Sequence, residues 1–366
     1  MASLPVESVE TVMGAKPLSE LGVTLTHEHL ASNFFPCYMP SPFKDINPRV
    51  TLCNLAVTRQ KPLTIFKNTC LYDESGMRSF YYDISDFKMS GGKTIVDTGS
   101  YGMRRNFRFL HTICRTTKIN VLVGTGFSTT IARDNDYFPK DNTIETLCNV
   151  MANDLENGFD WNNVYPHYRP LRYHDQSIKA AFIGEVGSDW PISDFAQRSI
   201  AATGRVQEQV RCPVSFTPAF NTDAPAEILR IYQEAGGDVK KAVISHVDCV
   251  FNKKTKFFEF LDDTKCYVQF SLFGFDRSIY PESDCNVLSD TQRIRRITIM
   301  KEENLLDRVL MSHDIHTKDR MVSYGGYGYS FIMKYIVPYM IEKKDFTSEE
   351  IEDLIISNPK RWLTRG

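Results

Sequence analysis

Short apolar runs rich in strand-forming residues recur along the chain at 22–26, 94–97, 120–124, 180–184, 213–216, 242–245, 266–271 and 308–312, eight in all. Their length and their polar boundaries predict buried strands. Between the later runs the apolar spacing becomes helical. The stretch 224–235 has Asp223 placed to cap it, Pro225 and Glu227 in its first turn and Gly236 after its end, which are helix start and stop signals. A second helix is predicted over 291–301, after Ser289 and Asp290. Strands that alternate with helices imply a parallel sheet. Eight such units predict an α/β fold of the (β/α)8 TIM-barrel type, a single domain over 1–366. The chain has 366 residues, more than the roughly 250 typical of that fold. The excess falls in two insertions, 31–93 after the first strand and 128–179 after the third. Both follow strand C-termini, where the loops of a barrel active site lie. An open doubly wound sheet is the alternative. Its glycine fingerprint is met only by GTGFST at 124–129, which has two of the three expected glycines.

Composition narrows the class of function. The chain is 42% hydrophobic and 24% charged, with a formal net charge of -2. Basic clusters are short, Lys253-Lys254 and Arg293, Arg295, Arg296, and read as solvated helix faces. No nucleic-acid partner is expected. No run approaches the roughly 20 apolar residues of a membrane span, and 331–341 is broken by Lys334 and Pro338. The opening MASLPVESVETVMGAKP has no basic n-region and no apolar h-region, so no signal peptide is read. The nine cysteines are widely spaced and form no CxxC, which argues against a zinc finger or a disulfide framework. Free thiols in a cytoplasmic protein are expected.

The candidate chemistry lies at the ends of the predicted strands. His27 and His29 continue Val23 and Leu25 in one alternating set. In a strand, residues two apart point the same way, so all four are expected to face the barrel interior. Alone, such a pair reads more readily as hydrogen-bonded loop histidines than as ligands. Three other potential ligands end other runs: Glu185 after AAFIG, His246 after AVIS and Asp314 after RVLMSH. Singly they read as an ion-pair partner, a core histidine and a helix cap. Together, five imidazole and carboxylate groups at one end of one barrel predict a divalent-metal site. His313 should point away from Asp314 and serve as a hydrogen-bonding support. His316 is a candidate lining residue. His111, His167 and His174 are expected to be structural. Tyr101, Arg104 and Arg105 follow the second strand at the same end, either to bind substrate or as a solvated loop. Asp97 ends that strand. No GxSxG or Ser-His-Asp pattern supports serine hydrolysis.

Several of these segments, GVTLTHEHL, IGEVGSDWP, VISHVD, LMSHDIHTKDRMVSYGGYGY and the closing NPKRWLT, resemble the phosphotriesterase-related proteins of the amidohydrolase superfamily, nearly end to end. The resemblance implies a binuclear metal hydrolase on a (β/α)8 barrel. By that likeness His27, His29 and Asp314 would hold the inner metal, Glu185 would bridge, and His246 would bind the outer metal. A metal-activated hydroxide would attack a carbonyl or phosphoryl centre, with Asp314 as the catalytic proton acceptor. The cofactor is one or two divalent cations of the zinc type. The partner is a small-molecule substrate, by preference an N-acyl amide of the N-acetyltaurine kind, or an ester. A homodimer would accord with the family.

The chain departs from the family pattern at the mouth. Where the family has PVxxHPGR, this chain has Pro213-Val214-Ser215-Phe216-Thr217-Pro218-Ala219-Phe220. Thr217 therefore replaces an outer-metal histidine, and Phe220 replaces an arginine suited to an anionic substrate. The family's YGGHGYxH is here Tyr324-Gly325-Gly326-Tyr327-Gly328-Tyr329-Ser330-Phe331, without either histidine, and Cys249 takes the place of the arginine in SHLDR. Three readings follow: a diverged amide or ester hydrolase, a paralogue that keeps one metal site but has lost hydrolysis, and an ester hydrolase of phosphotriesterase or lactonase type.

Overall fold

In a computed structural model the described residues are 7–40, 49–103, 105–129, 139, 141–159, 177–277, 279–280, 283 and 285–366. The chain opens with an antiparallel hairpin, β1 (Ser8–Thr11) and β2 (Gly14–Pro17). Eight strands follow: β3 (Val23–Glu28), β4 (Gly92–Asp97), β5 (Asn120–Thr125), β6 (Phe182–Gly187), β7 (Val214–Thr217), β8 (Ala242–Ile244), β9 (Tyr267–Phe270) and β10 (Val309–Met311). They pair in parallel in chain order from β3 to β10. The end strands meet through side chains, with Thr26 Oγ1 donating to Met311 O at 3.4 Å and Ser312 Oγ accepting from His27 N at 3.0 Å. Helices lie between the strands, and the result is a nearly closed (β/α)8 barrel.

Each predicted run overlaps one barrel strand. The hairpin was not anticipated, because SVET and GAKP carry little apolar periodicity. It contributes Val9, beside Leu18, to a cluster with Leu122, Val243, Leu310 and the late Trp362. Those residues fill the barrel interior below the site. A larger layer packs the outer strand faces against the helices, and Ile95, Val121, Phe80, Leu110 and Ile228 all belong to it.

The helix predicted over 224–235 forms as Ala224–Glu234, but Asp223 makes no side-chain cap bond to it. The second forms as Asp290–Glu302, and there Ser289 caps with Gln292 in a reciprocal capping box. The first insertion holds the helices Leu55–Gln60 and Glu74–Met89. Of the second, the helix Ile144–Glu156 is described. His167, His174 and Arg104 lie outside the described residues. Among the described residues no helix is long and apolar enough to cross a membrane.

Candidate functional site

The orientation of β3 differs from simple alternation. Leu25 packs in the outer layer with Ile95 and Phe80, and Val23 packs against the same layer. The register of β3 against β4 shifts between Leu25 and Glu28. This irregularity resets the period-2 pattern, so His27 faces the interior although Leu25 does not. A similar shift in β6, between Ile183 and Val186, surrounds Glu185.

The side chains brought together here are His27, His29, Glu185, His246 and Asp314, all buried. His27 Nδ1 lies 3.2 Å from Ser245 Oγ. Its Nε2 has no hydrogen-bond partner and faces Glu185 Oε2 at 3.5 Å and Asp314 Oδ1 at 3.9 Å. His29 Nε2 lies 3.2 Å from the same Asp314 oxygen. The donor atoms of His27, His29 and Asp314 all fall within 4.8 Å of one another. Two ligands each about 2.1 Å from a tetrahedral ion sit about 3.4 Å apart, so this spacing suits a shared cation. His246 stands to one side, its ring 5.0 Å from that of His27. Asp314 and His246 both adopt left-handed backbone, with φ of 53° and 56°. That conformation costs about 1 kcal/mol or more in an L-residue and is held here by the surrounding bonds.

The carboxylates stay ionised against their burial. Burial alone would raise the Asp314 carboxyl, but His316, His29 and His246 hold it well below the usual range. Glu185 is likewise lowered, with burial overcome by His27 and His29. Desolvation opposes protonation of His29, yet Asp314 and Glu185 push it up to about 9. For His246, burial prevails over the nearby carboxylates and lowers its pKa.

Two supports were not read from the sequence. Glu28, between the two histidines, points away from the cavity. Its Oε1 accepts from Ser312 Oγ, His313 N and His313 Nδ1, each at 2.8 Å, and its Oε2 from Ile315 N at 2.9 Å. It thus clamps the turn that carries Asp314. His313 Nε2 accepts from Ile332 N at 3.2 Å, which leaves the ring proton on Nδ1 to meet Glu28. His313 therefore supports the site, as its position opposite Asp314 predicts. The second support is Asp248, which accepts from Leu272 N at 2.9 Å and pairs with Arg293 at 2.7 Å. It ties the turn after β8 to the end of β9. The alternation of Glu28 with His27 and His29 was the one available hint.

The outer wall has another character. Thr217 Oγ1 donates to Glu185 Oε2 at 3.0 Å. Phe220 packs on Tyr280 at 4.7 Å and approaches His246 at 6.5 Å. The cavity of about 340 Å³ is lined by the polar His29, Glu185, Asp189, His246, Asp314 and His316 and by the apolar or aromatic Phe34, Leu63, Phe220 and Tyr280. No Lys or Arg lines it among the described residues. His316 sits 3.1 Å from Asp314 Oδ2.

The other candidates act elsewhere. Tyr101 donates to Asp154 at 2.8 Å, and the buried Arg105 donates to Gly124 O at 2.7 Å while stacking on Phe107 and Phe159. Neither lines the cavity or forms a solvated loop. Asp97 accepts from Leu30 N at 2.9 Å and Gly99 N at 3.0 Å, so it fixes loop backbone. His111 lies on the helix Phe107–Thr117.

Comparison with known proteins shows what the whole chain is similar to. The model of the "Phosphotriesterase family" matches residues 7–363. A phosphotriesterase-related protein of Drosophila persimilis is 36% identical over 361 residues, 98% of this chain and 99% of that one. A solved resiniferatoxin-binding protein from Rhodobacter sphaeroides superimposes with a TM-score of 0.82 at 23% identity, covering 99% of this chain and 96% of that one. A lactonase from Listeria monocytogenes does so with a TM-score of 0.73 at 19% identity, covering 98% and 99%. These two show the likeness of the fold.

Proposed function

Because the chain belongs to the phosphotriesterase family, we propose that it is a metal-dependent hydrolase of small amides or esters. The observation that carries this reading is the buried His27 Nε2, unpartnered, with Glu185, Asp314 and His29 gathered around it. Nitrogen and carboxylate donors at this spacing fit zinc or a similar divalent cation. His27, His29, Glu185 and Asp314 would hold it. When bound, such a cation lowers the pKa of water from about 15.7 to about 7 and polarises a carbonyl.

The protein groups have separate tasks. Ser245 holds His27 by its Nδ1 and directs Nε2 inward. Glu28 fixes the turn of Asp314. Asp314, at the cavity wall, accepts the proton of the attacking water and returns one to the leaving group. His316 steadies its second oxygen.

The lining bears on substrate. A sulfonate or carboxylate like that of an N-acetyltaurine-type amide would meet no arginine at Phe220 and no Lys or Arg elsewhere on the described wall. An uncharged acyl amide, ester or lactone fits better. The test is turnover by metal-free and zinc-, manganese- or cobalt-reconstituted protein on N-acyl amides, lactones and aryl esters. Metal-dependent hydrolysis of one class is expected. Bound metal without turnover of any class would favour a binding protein that has lost hydrolysis.

A further inference from the structure

We propose that the cavity holds one cation and that His246, with no cation to bind, is a substrate-binding residue. This rests on the metal-hydrolase reading above and goes further, assigning the outer wall to the substrate.

The donor atoms divide unevenly. His27, His29 and Asp314 form one tight group, and Glu185 Oε2 joins it at 3.5 Å from His27 Nε2. At the same Glu185 oxygen the end of β7 offers Thr217. That hydroxyl is neutral, and its proton is spent on Glu185 Oε2. A ligating carboxylate held by such a bond is oriented by it, which gives Thr217 a positioning role toward the single cation. A second cation there would find His246 and a share of Glu185. Catalytic zinc sites keep three protein ligands, so the outer position falls short.

His246 is correspondingly unoccupied. Its ring lines the cavity, it is 5% exposed, and its Nδ1 is buried without a hydrogen-bond partner. Its backbone N–H is pinned by Ser271 Oγ at 3.1 Å, and its edge packs on His27. Phe220 and Tyr280 beside it present aromatic surface. The chemistry that satisfies both is an uncharged group with a carbonyl or hydroxyl for the imidazole and an aryl or alkyl body for the rings.

Titration of metal-free protein with Zn2+, followed by calorimetry and elemental analysis, counts the sites without reference to activity. One cation per chain is expected for the natural protein and two for Thr217→His. Two tightly bound cations in the natural protein overturn this inference and leave the proposed function standing. None overturns both. His246→Asn should keep the single cation with affinity unchanged within about threefold, while KM for the neutral ester 4-nitrophenyl acetate rises about tenfold, the worth of one lost hydrogen bond. A tenfold or greater loss of zinc affinity would make His246 a ligand and overturn the assignment, as would an unchanged KM.

Discussion

The two walls of the cavity are built differently. On the inner wall His27 and Asp314 are held by further polar groups: Ser245 behind His27, Glu28 behind the Asp314 turn, His313 behind Glu28. On the outer wall Thr217 makes one bond, to Glu185, and beside His246 the surface is largely aromatic or aliphatic, from Phe34, Leu63, Phe220 and Tyr280, with Ser188, Asp189 and Ser283 as its other polar members. Fixed chemistry needs groups whose positions are over-determined. A wall that recognises an apolar body needs shape and little polar support. The contrast therefore separates a part suited to chemistry from a part suited to selection.

The largest effect should come from the inner wall. His27→Asn should lose the bound cation and lower turnover about 1000-fold or more, as checked by elemental analysis and steady-state kinetics. If the variant retained both, the inner wall would not be the metal site. Next, Glu28→Ala removes four accepted bonds and leaves their donors buried. A loss of about 3 kcal/mol is expected, seen as a drop in Tm of about 4 °C. A drop no larger than that of a surface control would mean the clamp contributes little.

On the outer wall, Phe220→Arg should leave Tm nearly unchanged, since Phe220 is 36% exposed. It should shift relative kcat/KM toward a carboxylate-bearing ester over its neutral analogue by about tenfold. No shift would detach Phe220 from specificity.

The smallest effect lies away from both walls and sets a baseline. Burial, with Asp86 nearby, pushes the Asp83 carboxyl from its ordinary 3.8 up to about 7. The folded chain then holds a proton that the unfolded chain releases above 3.8, so this group lowers stability as pH rises from about 4 to 7. Asp83→Asn should raise stability at pH 8 and leave it unchanged at pH 4. Thermal unfolding at the two pH values checks this, and equal shifts at both would assign the effect to packing.

Much of this protein was legible in its sequence. Strands and helices follow from apolar spacing and end signals, which are local properties, and the eight runs and the capped helix Asp290–Glu302 were readable for that reason. The candidate donors His27, His29, Glu185, His246 and Asp314 were legible because their residue types recur at equivalent strand ends. The substitutions Thr217 and Phe220 were visible as departures at the mouth.

Tertiary structure decided the rest. The bulge in β3 breaks the alternation that would have placed Leu25 beside His27 in the interior, and pairing with a neighbouring strand is what sets such a shift. The partners of Glu28 lie 284 to 287 residues away in sequence, and no spacing rule reaches that far. Whether Thr217 merely lacks an imidazole or turns its proton onto Glu185 depends on two strand ends meeting across a sheet. Sequence determined which chemical groups are present and on which elements they lie. Only the closed barrel decided which of those groups face one another, because contacts between distant segments exist only after the loops between them have closed.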